Sequence, residues 1–215
     1  MKTSKIPEAA VMRLAVYSRF LEQLQEQGHG TVSSCMIARG TGVTPAQVRK
    51  DLAYFGEFGT RGVGYDVEAL SGHLKRILGL DRKWPTVLVG AGKLGSALAL
   101  YEGFLTRGFH IVGVFDIDPD PVGNRFGQLD VLPMERLEEV IQRYGAQIGI
   151  ITVPANAAQE VGERLVDAGV RAILNFSPYV LNLPEGIIVR HVDFTLHLET
   201  LTFNLVYKKE EFKTF

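Results

Sequence analysis

The sequence has little of what extracellular, membrane and metal-binding proteins need. It contains a single cysteine, Cys35, so it cannot form an intramolecular disulfide. No apolar run approaches the ~20 residues that a membrane helix requires, and the first residues, MKTSKIPE, lack the apolar core of a signal peptide. No cluster of His, Cys or carboxylates has the spacing of metal ligands. We therefore expect a cytoplasmic protein with no membrane segment and no metal site.

Composition and charge indicate the class of protein and its type of partner. A chain of 215 residues with 46% hydrophobic and 22% charged residues is typical of a globular protein with one large or two small domains. The net charge of −1 is unevenly distributed. Residues 1–84 carry 12 Lys and Arg against 8 Asp and Glu, a net charge of +4, whereas residues 85–215 carry 11 against 16, a net charge of −5. The basic N-terminal part indicates contact with a polyanion.

A glycine-rich turn is the clearest motif. A β-branched run, Thr86–Val89, precedes Gly90–Gly95, which has the pattern G-x-G-x-x-G. A helical pattern follows from Ser96 to Arg107, and a second apolar run ends at Asp116. This is the order of strand, turn, helix and strand in a dinucleotide-binding βαβ unit. Asp116 follows the last glycine by 21 residues, near the spacing of about 20 expected for the ribose ligand.

Each glycine of this turn has a physical role. Gly90 permits the tight turn, Gly92 lets a pyrophosphate approach the backbone, and Gly95 lets the helix pack on the strand. The carboxylate of Asp116 would repel a 2′-phosphate, so the pattern favours NAD(H) over NADP(H). The alternative is a tight βα turn in an ordinary α/β domain. The residues predicted to bind the cofactor here are Gly90, Ala91, Gly92, Lys93, Leu94, Gly95, Asp116 and Ile117.

The α/β alternation continues after residue 128. Strand patterns at 129–132, 148–153, 172–176 and 187–189 alternate with helical patterns at 135–144 and 157–168. This predicts a Rossmann-like, doubly wound parallel sheet, whose ligands bind at the carboxyl ends of the strands. Two strand ends therefore join the predicted cofactor site, although their prolines are equally consistent with plain strand termination. These residues are Thr152, Val153, Pro154, Asn175, Phe176, Ser177 and Pro178.

The N-terminal part predicts a helix-turn-helix within about residues 17–56. A first helix over 9–27 precedes a second, capped by Ser33 or Ser34, and a third that begins at Thr44 with Pro45 in its first turn. Val48, Leu52 and Phe55 then form the inner face of the third helix and direct its basic residues outward. Such an arrangement places a recognition helix in the major groove of DNA.

Residues 56–66 contain four glycines, two aromatic residues and an arginine, which predicts a β-hairpin wing beside the recognition helix. An arginine on such a wing could reach phosphates or a narrow minor groove. The alternative for the basic residues is an ordinary solvated surface. The predicted DNA-binding residues are Ser33, Thr44, Gln47, Arg49, Lys50, Tyr54 and Arg61.

Two further segments have simple interpretations. Cys35 lies in a helical pattern, where we interpret it as a small apolar residue rather than a reactive thiol. Residues 193–207 form a helical pattern with apolar residues on almost every side, and such a helix must be buried on every side. A second copy of the chain is the natural partner, so we interpret this segment as a dimerisation helix.

Two enzyme-related alternatives remain open. An NAD-dependent oxidoreductase needs an acid–base group facing the nicotinamide and a domain that holds substrate. His191 and His197 are the only histidines near the predicted cofactor site, and each is more typical of a structural histidine. A coenzyme A- or nucleotide-binding subunit of a ligase would share the glycine turn, but this alternative assigns no function to the helix-turn-helix.

These motifs together resemble the Rex family of redox-sensing transcriptional repressors over nearly the whole chain. The resemblance depends on six segments: Tyr17–Leu21, Val48–Gly56, Gly62–Tyr65, Gly90–Gly95, Asn175–Pro178 and Val192–Phe194. It implies a winged helix-turn-helix domain over 1–80, a Rossmann domain over 85–192 and a domain-swapped C-terminal helix over 193–215. It also implies a homodimer that binds an inverted-repeat operator and is released when NADH replaces NAD⁺.

The resemblance further implies a switch. Arg19 would pair with Asp193 in the DNA-binding state, and with NADH bound Asp193 would turn to Tyr101. Phe194 would form part of an apolar nicotinamide pocket, which favours the neutral reduced ring because burial of an unpaired charge costs free energy. Tyr101, Asp193 and Phe194 thereby complete the predicted cofactor site, and no catalytic residue is predicted.

Overall fold

The computed structural model describes residues 6–60, 62–118 and 120–207. The chain divides into two compact units, residues 1–82 and 83–215. The predicted DNA contact Arg61 and residues 208–215 of the predicted C-terminal segment lie outside the described residues. Within the described ranges, no helix is long and apolar enough to cross a lipid bilayer.

The first unit contains the predicted helix-turn-helix. Helix α2 begins after the cap Ser33, whose hydroxyl accepts the N–H of Met36 at 3.1 Å, and the hydroxyl of Thr44 caps α3 in the same way. The third helix ends at Ala53, two residues earlier than the pattern predicts. The elements are α1 (Glu8–Glu26), β1 (Thr31–Val32), α2 (Ser34–Thr41), α3 (Pro45–Ala53), β2 (Tyr65–Asp66) and α4 (Val67–Ile77).

The predicted wing hairpin is only partly correct. Among the described residues of 56–66, one isolated bridge joins Thr60 to Gly64. The strand β2 pairs instead with β1, in an antiparallel register of Thr31 with Asp66. The pairing crosses more than 30 residues of sequence, so the local pattern of glycines does not reveal it.

One apolar core holds the first unit together. Leu14, Tyr17, Leu21 and Leu24 form the buried face of α1, which packs with α2, α3 and α4 in a single cluster. Val48 and Leu52 of α3 belong to this cluster as predicted, and Phe55 packs on it while partly exposed. The fully or almost fully buried members are Leu14, Tyr17, Leu21, Ile37, Val48, Leu52, Leu70 and Leu74.

The second unit is a Rossmann-like fold. Its strands lie in the order β5-β6-β4-β3-β7-β8-β9, and all pairs are parallel except β5 with β6. This is the strand order 3-2-1-4-5-6 with one added antiparallel edge strand. The strands are β3 (Trp84–Val89), β4 (Phe109–Asp116), β5 (Arg125–Phe126), β6 (Leu129–Pro133), β7 (Ile148–Ile151), β8 (Ala172–Asn175) and β9 (Ile188–His191).

The helices of the second unit differ from prediction at one place. The single helix expected over 96–107 is two short helices, because the backbone of Tyr101 is extended (φ −75°, ψ 104°). Gly103 makes room for the ring of Tyr101, which packs edge-on against Phe104 with centroids 5.2 Å apart. The helices are α5 (Lys93–Ala99), α6 (Glu102–Leu105), α7 (Leu137–Tyr144), α8 (Ala155–Asp167) and α9 (Phe194–Tyr207).

The C-terminal helix α9 has no buried side chain in the chain as described. Its apolar residues are 59–69% exposed on every side, as the sequence pattern predicts for a helix that needs a partner. These residues are Phe194, Leu196, Leu198, Leu201, Phe203, Leu205, Val206 and Tyr207.

The glycine turn is packed too closely for side chains at two of its positions. Gly90 has φ +108°, and a Cβ there would come within 2.7 Å of the Thr152 hydroxyl. A Cβ on Gly95 would overlap the carbonyl oxygen of Gly90. Gly92 differs, since no heavy atom lies within 4 Å of its ideal Cβ. Gly90 and Gly95 are therefore required by the fold itself, whereas Gly92 faces open space.

We expect Gly95→Ala to lower the free energy of unfolding by more than about 2 kcal/mol, because the new methyl group must displace the Gly90 backbone. Gly92→Ala is the matched control and should cost less than about 1 kcal/mol, the loss of a glycine cap. Urea unfolding followed by circular dichroism measures both. Equal stability of Gly95→Ala and wild type would contradict the close packing of this turn.

Candidate nucleotide-binding edge and recognition helix

The predicted cofactor residues other than Tyr101 lie at or shortly after the carboxyl ends of strands of the large sheet. Tyr101 is separate from them, since it lines a cavity with Phe109 and His110 at the start of β4. Strand β3 is paired with β4 on one side and with β7 on the other, so the strand order reverses next to Gly90. The N–H of Gly90 donates to the carbonyl of Phe115 at 2.8 Å, and the N–H of Thr152 donates to the carbonyl of Val89 at 2.9 Å. Ligands of doubly wound sheets bind at such a reversal, outside the carboxyl ends of the strands.

Asp116 connects the glycine turn to the end of β4. One carboxylate oxygen accepts the N–H of Ala91 at 2.5 Å, and the other accepts the N–H of Asp118 at 2.9 Å. A carboxylate offers about four acceptor positions, so this half-buried group keeps capacity for the hydroxyls of a ribose. The spacing of Asp116 from the glycines thus corresponds to a direct contact with the turn.

A cavity of about 330 Å³ lies beside Asp116. It is lined by Ile117 and Met134, and also by Arg164 of α8, whose guanidinium donates to the carbonyl of Met134 at 2.9 Å. Sequence reasoning missed Arg164 because it lies 48 residues after Asp116 and carries no motif. Its lining is mixed, because Ile117, Val122, Pro133 and Met134 are apolar whereas Asp116, Glu135 and Arg164 are charged.

Three of the remaining turn residues, Gly92, Lys93 and Leu94, are exposed. Gly92 is the residue before α5, and Lys93 and Leu94 form the first turn of this helix with exposed side chains. Ala91 is buried against β3 and β4 with Val114 and Leu88. The turn therefore presents backbone and a lysine to solvent, as a phosphate site requires.

The loop after β8 is held by a buried asparagine. The side-chain oxygen of Asn175 accepts the N–H of Ser177 at 2.9 Å, and its nitrogen donates to the carbonyl of Tyr179 at 2.8 Å. Asn175 is fully buried, so it shapes the loop rather than offering a side chain to a ligand. The Ser177 hydroxyl is also buried and has no hydrogen-bond partner within the described residues, and Pro178 is exposed.

At the end of β7, the Thr152 hydroxyl donates to the carbonyl of Gly90 at 2.8 Å. Val153 is buried in the main core of the unit, and Pro154 is the exposed residue before α8. Thr152 therefore supports the glycine turn, whereas the strand ends at Ile151 and Pro154 stands at the start of α8.

The predicted switch residues of the second unit have contacts of their own. Asp193 caps α9, with one oxygen accepting the Thr195 hydroxyl at 2.6 Å and the Thr195 N–H at 2.8 Å. These two donors lower the pKa of Asp193. Phe194 is exposed, and its ring lies 6.1 Å from that of Phe176. Tyr101 is exposed as well, and so is Arg19 on α1 in the first unit.

The recognition helix α3 presents basic side chains to solvent. Arg49 and Lys50 are exposed, and Arg49 donates to the Ser34 hydroxyl of α2 at 3.0 Å. Tyr54 is half-buried at the C-terminal end of the helix. Gln47, another predicted DNA-binding residue, is half-buried, and its amide nitrogen donates to Asp51 at 2.7 Å.

Asp51 is the residue that sequence reasoning overlooked. It is fully buried, and its carboxylate accepts two hydrogen bonds from Arg13 at 2.6 and 2.7 Å and one from the Tyr17 hydroxyl at 2.8 Å. Burial alone would raise the pKa of Asp51, but the hydrogen bonds from Arg13, Tyr17 and Gln47 outweigh it and hold that pKa below its usual value. A signal existed, because Asp51 stands between Val48 and Leu52 on the apolar face of α3.

Two further expectations from the sequence concern a metal site and Cys35. Within the described parts of the chain, no group of three or more His, Cys, Asp or Glu side chains could hold a metal ion. Cys35 lies on the helix α2, as its sequence pattern predicts, and its side chain is exposed. The buried residues of this short helix are Ile37 and Ala38.

Two family models match the chain. Residues 5–53 match the family described as "Putative DNA-binding protein N-terminus", and residues 81–179 match the family described as "CoA binding domain". The second match covers the sheet edge that contains the glycine turn, and the first covers α1 to α3.

Curated relatives extend the similarity over the full length. The chain is 60% identical over 205 residues, 95% of its length, to the redox-sensing transcriptional repressor Rex of Carboxydothermus hydrogenoformans, of which 99% is covered. It is 57% identical to the Rex repressor of Pelotomaculum thermopropionicum, with 98% of this chain and 99% of the relative covered.

Solved structures agree with these relatives. The structure of RSP in complex with β-NAD⁺ and operator DNA superimposes with a TM-score of 0.89 at 38% identity, covering 99% of this chain and 100% of that one. RSP in complex with β-NADH superimposes with a TM-score of 0.87, covering 98% of each chain. Near-complete coverage at these identities shows that the chain belongs to the Rex family of redox-sensing transcriptional repressors.

Proposed function

We propose that this protein is a repressor that binds operator DNA as a homodimer and leaves the operator when NADH binds. The observation that carries the proposal is the similarity to Rex repressors in sequence over nearly the full length, together with the structural similarity to RSP in its NAD⁺–operator and NADH complexes. The relatives are named transcriptional repressors, and we assign no enzymatic activity to the chain. Its place of action is the cytoplasm, where the NAD(H) pool meets the operator.

The sheet edge suits a dinucleotide in the following way. Asp116 would accept hydrogen bonds from the ribose, and the open space in front of Gly92 leaves room for a pyrophosphate at the start of α5. The cavity beside Ile117 would hold the adenine. The segments after β7 and β8, Thr152–Pro154 and Asn175–Pro178, would form the wall toward the nicotinamide, with Thr152 and Asn175 supporting the backbone rather than touching the ring.

To distinguish NAD⁺ from NADH, the site must respond to the charge of the nicotinamide ring. A bound dinucleotide supplies a nicotinamide ring that is cationic when oxidised and neutral when reduced. Phe176 and Phe194 place two aromatic rings 6.1 Å apart at the carboxyl edge, and an apolar wall favours the neutral ring. Affinity from Asp116 and the glycine turn is common to both forms and therefore gives no discrimination.

The DNA contacts are assigned to the first unit. Arg49 and Lys50 on the exposed side of α3 would meet bases and phosphates, with Gln47 and Tyr54 beside them and Arg61 on the wing. Ser33 and Thr44 place backbone N–H groups at the starts of α2 and α3, where phosphates bind well.

The helix α9 would pair the subunits. Its exposed apolar surface on all sides needs a groove in a second copy, which supports a swapped dimer and an inverted-repeat operator. In the proposed switch, Asp193 pairs with Arg19 in the DNA-binding state and with Tyr101 in the NADH state. NADH shifts this equilibrium only by its differential affinity for the two states.

The direct test is an operator gel shift titrated separately with NADH, NAD⁺ and NADPH. We expect NADH to release the operator while NAD⁺ maintains the complex, and NADPH to act weakly because Asp116 repels a 2′-phosphate. A shifted band that persists at saturating NADH would overturn the proposed function.

We expect Gly92→Ala to weaken NADH binding by about tenfold or more, because the methyl group fills the space proposed for the pyrophosphate at a cost of roughly 1–3 kcal/mol. The melting temperature without cofactor should stay near that of wild type, since no protein atom lies within 4 Å of the new carbon. Fluorescence titration with NADH measures the affinity, and an unchanged dissociation constant would remove Gly92 from the site.

We expect Lys50→Ala to weaken operator binding and to reduce the slope of log K against log salt by about 1, the loss of one phosphate contact. Arg143→Ala, which removes one positive charge from α7, serves as the charge-matched control and should leave the slope unchanged. If both variants behave alike, Lys50 contributes only to net charge.

A further inference from the structure

A buried carboxylate, that of Asp51, lies on the inner face of α3. The two oxygens of Asp51 receive donors from different directions: Oδ2 from Arg13 Nε and the Tyr17 hydroxyl, and Oδ1 from Arg13 Nη2 and Gln47 Nε2. Arg13 and Tyr17 belong to α1, whereas Gln47 belongs to α3 itself. The carboxylate is therefore fixed from α1 and in turn holds a side chain of the recognition helix.

The carboxylate also determines which end of the Gln47 amide faces it. An ionised Asp51 accepts hydrogen bonds and cannot donate them, so only the NH₂ group of Gln47 can turn toward it. The amide oxygen Oε1 then lies on the other side of the amide, and no hydrogen bond to it occurs within the described residues. Gln47 is half-buried, so its outer end remains accessible to a ligand of α3.

We propose that Asp51 is a specificity-determining positioning residue, which fixes the Gln47 amide with its oxygen toward the DNA so that this side chain reads a hydrogen-bond donor of a base. The inference rests on the proposed function as a DNA-binding repressor. In the major groove the donors are the N6 amino group of adenine and the N4 amino group of cytosine. One position of each half-site should therefore favour A or C over G or T on the contacted strand.

Arg13 and Tyr17 fix the orientation of the Asp51 carboxylate. A carboxylate held by one partner could rotate and let the amide flip, but here both oxygens are bound from α1. Buried ionic groups of this kind are best known for fixing a particular arrangement rather than for adding stability. Asp51 itself is fully buried, so its effect on base choice must pass through Gln47.

The experiment selects operators from a pool of randomised duplex DNA with full-length wild type, Gln47→Ala, Asp51→Asn and the double variant. Wild type should show about a fivefold preference for A or C at one position of each half-site, the worth of one hydrogen bond. Gln47→Ala and Asp51→Asn should each lose that preference while the other positions stay readable. In the double variant the profile should equal that of Gln47→Ala alone, because the two residues act through one contact.

Tyr17→Phe is the matched control. It removes the hydroxyl that donates to Oδ2 and leaves the oxygen that binds Gln47 untouched. We expect an unchanged base preference, even if the melting temperature falls. Loss of the preference in Tyr17→Phe to the same extent as in Asp51→Asn would show general loosening of α1 against α3 and would overturn the inference, as would a folded Asp51→Asn with the wild-type profile.

A second measurement, made on wild type, tests the inference even if the Asp51→Asn variant fails to fold. In ¹⁵N-labelled wild type, the side-chain amide hydrogens of Gln47 should exchange with solvent more slowly than those of the exposed Gln142 on α7. Equal exchange rates would mean that the amide is not held and would overturn the inference. Failure of wild type to select any sequence would instead count against the proposed function, so the two failures are distinguishable.

Discussion

The packing of the Gly90 turn against Thr152 is the contact on which the nucleotide-binding edge depends. The backbone of Gly90 lies in the left-handed region, and the Thr152 hydroxyl donates to its carbonyl across the point where the strand order reverses. This contact turns the chain from β3 into α5 and brings Ala91 within reach of Asp116. Without it, the strand ends that supply the proposed cofactor site would have no fixed relation to the start of the helix.

A second constraint is the surface that the chain leaves uncovered. The helix α9 is apolar on every side, and the described parts of its own chain bury none of its residues, so its surface favours a partner that covers it. In the proposed dimer, Asp193 stands at the first turn of this helix, where it accepts hydrogen bonds from Thr195. The same short segment would therefore report on the cofactor and hold the subunits together, which makes dimerisation part of the sensor.

Features that depend on a few neighbouring residues can be predicted from the sequence, whereas contacts between residues far apart in the sequence cannot. The glycine turn, the caps Ser33 and Thr44 and the parallel sheet follow from patterns of a few residues, and the structure confirms them. The pairing of β1 with β2 joins segments more than 30 residues apart, and Arg164 reaches the cavity beside Asp116 from another helix. The role of Asp51 was missed for the same reason, since three of its four donors come from α1.

In the proposed repressor, NADH binding and operator binding are thermodynamically linked. Reciprocity requires that the factor by which NADH weakens operator binding equal the factor by which operator weakens NADH binding. Calorimetric titration of the dimer with NADH, with and without saturating operator duplex, measures the second factor directly. We predict that operator lowers the NADH affinity by the factor that NADH imposes on operator binding, and equal NADH affinities in the two titrations would contradict the linkage.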